Sequence, residues 1–234
     1  MTRNNRLAIV LAVSVLIGLL VASALALHVG PFRPKSPGPV IATVNGQPIH
    51  LSEAGSRMQS LTSFHASDEG LPTGREWADQ ILQSLVDDQL IRDEATRRGI
   101  VVTDQEAAVA VQRVIDLFPS VADYEEWLAS ENMSQDDVER RMGMEVLNNH
   151  VYEAITSDVT VGEEEIRAYF EANADDYLED DGTPRPFRDV RSEVKQDLEQ
   201  KAQNAAFSAW LQSARESATV IVLEPNWWRD LDEQ

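Results

Sequence analysis

The last apolar run of the chain, Thr219-Val-Ile-Val-Leu223, reads as a β-strand that no neighbouring strand accompanies. The stretch before it, from about Phe187 to Glu216, carries Val190, Val194, Leu198, Phe207, Trp210 and Leu211 at helical spacing. A lone strand leaves a row of backbone donors and acceptors unpaired, so it needs a partner. The partner on offer lies at the other end of the folded part. Val40-Ile-Ala-Thr-Val44 is rich in β-branched residues and closes on Asn45-Gly46, a two-residue hairpin signal, before Gln47-Pro48-Ile49. The two ends are therefore expected to meet in one small sheet, with everything between them packed as helices.

That intervening sequence is helical in pattern. Ser52 is the expected N-cap of a first helix with Met58, Leu61 and Phe64 on one face, fading near Gly70-Leu71-Pro72. From Trp77 to Arg98, Ile81, Leu82, Leu85, Val86, Leu90 and Ile91 recur at helical spacing, and Gly99 suits the C-terminal turn. Thr103-Asp-Gln-Glu106 has the form of a capping box, opening a helix through Val111, Val114, Ile115 and Phe118 that stops before Pro119. A short helix is expected over Asp123 to Ser130, with Tyr124, Trp127 and Leu128 apolar. A long one begins at Ser134-Gln-Asp-Asp137 and carries Val138, Met142, Val146, Leu147, Val151 and Ile155.

Ahead of this domain, Leu7 to Leu27 carries no charge. As a helix it rises about 31 Å, the thickness of a bilayer's hydrocarbon core. Arg3 and Arg6 favour a cytoplasmic N-terminus, with Arg33 and Lys35 voting the other way. The competing reading is a cleaved signal peptide, because Ala22-Ser23-Ala24 and Ala24-Leu25-Ala26 resemble cleavage sites. Pro31, Pro34, Pro37 and Pro39 then stiffen the chain. The organisation expected is a cytoplasmic N-terminus (1–6), a transmembrane anchor (7–27), a Pro-rich linker (28–39), one helical domain (40–223) and an acidic, Trp-containing tail (224–234). The expectation is a single-pass protein of the inner membrane with its main domain outside the cytoplasm.

Composition removes several chemistries. The chain has no cysteine, so it has no disulfide and no thiolate nucleophile or zinc ligand. A formal net charge of −20 argues against nucleic acid, whose phosphates require clustered Lys and Arg. His28, His50, His65 and His150 fall in no metal-ligand spacing. The acidic turn Asp175 to Gly182 invites a calcium reading, but placing Gly182 at the sixth loop position puts Tyr177 first and Arg188 twelfth. No metal site is assigned, although a loose divalent site stays open as an alternative. Glu163, Glu164 and Glu165 are explained by the first-turn dipole of a helix. No catalytic motif and no cofactor-binding fingerprint appears. Trp227 and Trp228 are expected to dock on the domain.

The order of the pieces resembles a family. VIATVNGQPI, ILQSLVDDQLIRDEATRRGIVVTDQE and DVTVGEEEIRAYFEANADDY are similar to the N-terminal region of the SurA family of periplasmic chaperones, which includes the anchored PpiD and the Gram-positive foldase PrsA. The closing FRDVRSEVKQDLEQKAQNAAFSAWLQSARESATVIVL is similar to the segment that follows their isomerase domains. The resemblance implies a mainly α, SurA N-terminal-like domain whose first and last strands pair. In such relatives a parvulin-type prolyl isomerase domain commonly separates the two parts. Here only about ten residues join Tyr177 to Phe187, and the Ser-His-Ile start typical of parvulins is absent. Gly162 also stands where relatives often carry a Ser or Asp cap.

What the resemblance implies is a chaperone that binds unfolded or nascent polypeptides without isomerase catalysis. Candidate polypeptide-contacting residues are Leu61, Phe64, Phe118, Tyr124 and Trp127, because they lie near helix ends. Ordinary core packing is the alternative for these aromatics. The rival functions are prolyl isomerisation and a scaffold for one membrane partner.

Overall fold

The computed structural model describes residues 38–64, 74–131, 133–179 and 182–229, the side chains of 60–64 excepted. Along the chain run β1 (Val40–Val44), β2 (Gln47–His50), α1 (Leu51–Phe64), α2 (Arg75–Arg98), α3 (Asp104–Ile115), α4 (Val121–Ser130), α5 (Gln135–Thr156), α6 (Glu163–Ala172), α7 (Phe187–Ser217) and β3 (Val220–Val222).

The two ends meet. β3 pairs antiparallel with β1, in register Ala42↔Val222, Thr43↔Ile221 and Val44↔Val220, and the sheet order is β2-β1-β3. The β1–β2 turn has both central residues at positive φ, Asn45 at 51° and Gly46 at 83°. That left-handed pair matches the twist of a hairpin, which explains the Asn-Gly choice. Asn45 also ties the closure: its backbone N–H donates to Thr219 O at 2.9 Å and its side-chain oxygen accepts from Thr219 N–H at 3.0 Å. Its amide nitrogen donates to Asp93 of α2 at 2.9 Å.

The helix ends follow local chemistry. Thr103 with Glu106 and Ser134 with Asp137 form reciprocal capping boxes. Gly99 ends α2 at φ 69°, where Ile100 N–H reaches Ala95 O at 2.8 Å. Ser52 is not the cap of α1. The helix starts one residue earlier, and Glu53 reaches back to accept from His50 N–H at 2.8 Å.

Four buried clusters hold the helices. Ile41, Val44, Ile49, Leu51, Ala54, Ala78, Ile81, Leu85 and Val86 join the sheet to α1 and α2. Ile91, Ala95 and Val151 join α2 to α5, with Phe207 and Trp210 of α7 against them. Val111, Tyr124, Leu128 and Val138 join α3, α4 and the start of α5. Ile166, Tyr177, Val190 and Val194 join α6 to the start of α7. Helix α7 thus runs past three of the four clusters, and α5 links two.

Polar ties span the same interfaces. Arg215 of α7 grips Asp87 of α2 through two bonds of 2.7 and 2.6 Å. Glu94, only 8% exposed, takes both Arg97 and Arg98, and Arg98 donates onward to Ala154 O of α5 at 2.9 Å. Hydrogen bonding from Arg97, joined by Arg98, holds the Glu94 carboxyl down at about 2, against an ordinary 4.5. Its folded pKa is below its unfolded one, so its contribution is present above about pH 4.5 and is lost as pH falls toward 2. Allowing for solvent screening of the arginines, that contribution is about 1–2 kcal/mol. Stability measured from pH 6 to pH 2 should fall less steeply for Glu94→Gln than for the natural protein, and parallel curves would contradict this pairing.

One expectation is corrected. Among the described residues no helix is long and apolar enough to cross a membrane. Helices α2, α5 and α7 have the length, 24, 22 and 31 residues, but charged side chains recur along all three. The expected anchor, 7–27, lies outside the described residues, as does most of the proline-rich segment. The fold class that the described residues support is a helical domain with a small sheet, and the expected transmembrane helix is not supported. The single-pass inner-membrane location, cytoplasmic N-terminus included, rested on that helix and loses its support with it.

Candidate functional site

Three of the five candidate residues come together at the α3–α4 corner. Helix α3 stops at Ile115 because Pro119 follows, and the chain leaves through Asp116, Leu117 and Phe118. Ser120 then caps α4 by accepting from Asp123 N–H at 3.2 Å. This tight corner stacks Phe118, Tyr124 and Trp127. Their ring centroids lie 5.5 Å apart for Phe118 and Tyr124, 5.2 Å for Phe118 and Trp127, and 6.0 Å for Tyr124 and Trp127.

The three rings differ in what they offer. Tyr124 is buried, donates its hydroxyl to Gln135 Oε1 at 2.7 Å, and has its pKa raised by that burial. It supports the corner from below. Phe118 and Trp127 are half-buried and keep part of each ring at the surface. Leu61 and Phe64 belong to the last turn of α1, and their side chains lie outside the described residues.

Beside the rings stand two side chains that helical spacing does not single out. Leu117 is 81% exposed and Val121 58%. Both flank Pro119, Leu117 in the break between helices and Val121 as the first residue of α4, where periodicity carries little information. An apolar run around a proline, Leu-Phe-Pro-Ser-Val, was the only available signal. Around this apolar surface lie the exposed carboxylates of Asp116, Asp123 and Glu126. The arrangement offers apolar burial within an acidic rim, with no nucleophile–base pair in it.

The other candidates resolve differently. Trp227 is buried with the sheet, and Trp228 packs partly against the same cluster. His150 Nε2 lies 3.2 Å from Glu106, and His50 Nδ1 lies 3.1 Å from Gly38 O; His28 and His65 lie outside the described residues. Between Tyr177 and Phe187 the chain makes a tight hairpin, with Leu178 bridged to Pro184 and Glu179 N–H donating to Thr183 O at 2.8 Å. Asp180 and Asp181, central to the calcium reading, lie outside the described residues. Of the neighbouring glutamates, Glu163 takes the Arg191 guanidinium of α7. Glu165 accepts from Gly162 N–H at 2.7 Å, which offsets the missing cap side chain.

Comparisons with known proteins agree with this architecture. Residues 1–152 match the family model described as SurA-like N-terminal domain. Two curated relatives, the foldase proteins PrsA of two Clostridium perfringens strains, are each 26% identical over 183 residues, covering 72% of this chain. The chain spans about half of their length, 53%. A similar solved structure comes from work on PEB4 and the periplasmic protein Cj1289, described as two structurally related SurA-like chaperones of Campylobacter jejuni. It superposes with a TM-score of 0.57 at 13% identity, over 80% of this chain and 99% of that one.

Proposed function

The chain belongs to the SurA-like N-terminal domain family, and from that premise we propose that it binds unfolded or nascent polypeptide as a chaperone without catalysing prolyl isomerisation. The observation that carries the reading is the α3–α4 corner, where Leu117 and Val121 stand exposed beside the half-buried rings of Phe118 and Trp127. Exposed apolar groups gathered in one place are costly in a soluble domain and mark a surface meant to be covered. Phe118 and Trp127 would contact the client, Tyr124 would position them, and the acidic rim would favour basic segments. Leu61 and Phe64 remain part of the proposal as contacts from the end of α1.

Prolyl isomerisation is the rival suggested by the word foldase in the names of the PrsA relatives. In this chain α6 passes to α7 through the Leu178–Pro184 hairpin, so no further domain intervenes at that junction. Two assays on the full chain separate the readings. Light scattering of a diluted, denatured client should fall as the chain approaches equimolar amounts. A protease-coupled assay on a proline peptide should show no acceleration. Unchanged scattering, or robust isomerase turnover, overturns the proposal.

A further inference from the structure

Strand β3, three residues long, stands at an edge of the sheet, and among the described residues nothing covers it. The opposite edge, β2, carries Pro48 and runs straight into α1. Edge strands are usually protected by proline, charge or covering structure, because their free backbone groups pair readily with another chain. Among the described residues β3 has none of these, and its side chains are exposed on both faces: Val220 41%, Ile221 52%, Val222 45% and, just beyond, Leu223 50%.

The register shows which backbone groups are free. Leu223 N–H donates to Ile41 O at 2.8 Å and Asn45 N–H donates to Thr219 O at 2.9 Å. Residues 219, 221 and 223 therefore turn their N–H and C=O toward β1, and the alternating pattern aims those of Val220 and Val222 outward. Beside that edge runs a groove of about 300 Å³, lined by Asp79, Leu82, Gln83, Val86, Arg215 and Val220. It continues along α2, past Glu76, as a wider depression of about 650 Å³. Leu82 and Val86 form its apolar floor. Arg215 is already held by Asp87 and Arg75 lies 3.8 Å from Asp79, which leaves the carboxylate of Glu76 to set a net negative charge.

We propose that the outward edge of β3 takes an extended, basic polypeptide segment as a fourth strand, with alternate apolar side chains lying over Leu82 and Val86. The occupant is chosen by charge. A second copy of this chain would bring another −20 to the same edge, whereas a segment bearing Lys or Arg is attracted. Main-chain pairing supplies affinity without demanding a particular sequence, which suits a client that varies. The partner class rests on the polypeptide-binding reading above, and β3 adds a contact separate from the α3–α4 corner.

The test uses the full chain and a short acetylated peptide alternating valine and lysine. On binding, the amides of Val220 and Val222 should gain protection from hydrogen exchange, while that of Ile221, already paired, should not change. Val222→Pro removes one outward donor at a position where an edge strand tolerates proline. It should bind the peptide about tenfold more weakly or worse. Methylating the peptide's backbone nitrogens along one edge should do the same without altering the protein. A valine–glutamate peptide should bind more weakly than the lysine one. Undiminished binding by Val222→Pro together with the methylated peptide overturns the proposal, as does protection appearing elsewhere. Self-association that Val222→Pro abolishes would make the occupant a second copy and also overturn it. Scattering suppressed equally by both proteins, with no protection at β3, sinks this inference alone; no suppression by either sinks the chaperone reading.

Discussion

Replacing Trp227 by alanine is expected to lower the stability of the folded domain by about 3–5 kcal/mol, the usual cost of emptying a large aromatic from a core. The ring is 3% exposed and belongs to the cluster that holds Ile41, Val44, Leu85 and Val86. It reaches that place because the chain reverses after β3: Trp227 N–H donates to Glu224 O at 3.2 Å and Arg229 N–H to Asn226 O at 3.0 Å. That turn brings the ring back onto the sheet that β3 has just closed. A typical domain has only about 5–15 kcal/mol of stability, so the substitution removes a large share. Urea unfolding should show a lower midpoint with an unchanged slope. A shift below about 1 kcal/mol would mean that the ring is not part of the core.

The second large effect concerns binding. Leu117→Ser combined with Val121→Ser should leave stability within about 0.5 kcal/mol, because both side chains already face solvent. Client affinity should fall by roughly tenfold to thirtyfold. Burying a Leu or Val side chain is worth about 1.5–3 kcal/mol when complete, and a mobile client covers each only in part. Trp127→Ala makes a poorer test, since Trp127 also packs against Phe118 and Tyr124 and its loss would loosen the corner itself. The double serine variant separates contact from support. Equal affinity in the variant and the natural chain would remove the corner from the binding surface.

Much of the fold was legible because its local signals are strong and agree. Asn45-Gly46, the capping residues Thr103, Glu106, Ser134 and Asp137, and Gly99 each act within a few residues, and each does what its chemistry dictates. The pairing of β1 with β3 was legible for a different reason: an unpaired strand has to be satisfied, and one partner was on offer. The division into four clusters was not legible. An amphipathic helix declares that one face is buried, not which neighbour covers it. Helix α7 shows the limit, since only Val190 and Val194 of its apolar residues are fully buried, and Phe187, Leu198, Phe207, Trp210 and Leu211 lie half-covered against successive neighbours.

The candidate site was half legible. Phe118, Tyr124 and Trp127 are candidates from the sequence for their position near helix ends; the structure brings the three rings together, with Phe118 and Trp127 half-buried and Tyr124 buried beneath them. Leu117 and Val121 were not legible, because exposure in a helix break and at the first residue of the next helix has no periodic signature. Trp227 lies among polar and acidic residues, where docking on the domain is the default reading ahead of a membrane interface or a partner contact, and the structure docks it. Its burial depends on the turn after Glu224.

The most direct test of the account places a photo-crosslinking residue at position 117 of the full chain and adds a denatured client. Position 196, an exposed glutamine on α7, serves as the control. The account predicts a client crosslink at 117 that excess unlabelled unfolded chain competes away, with little at 196. Equal yields at the two positions, or a crosslink at 117 that competition does not reduce, would contradict the claim that the α3–α4 corner binds unfolded polypeptide.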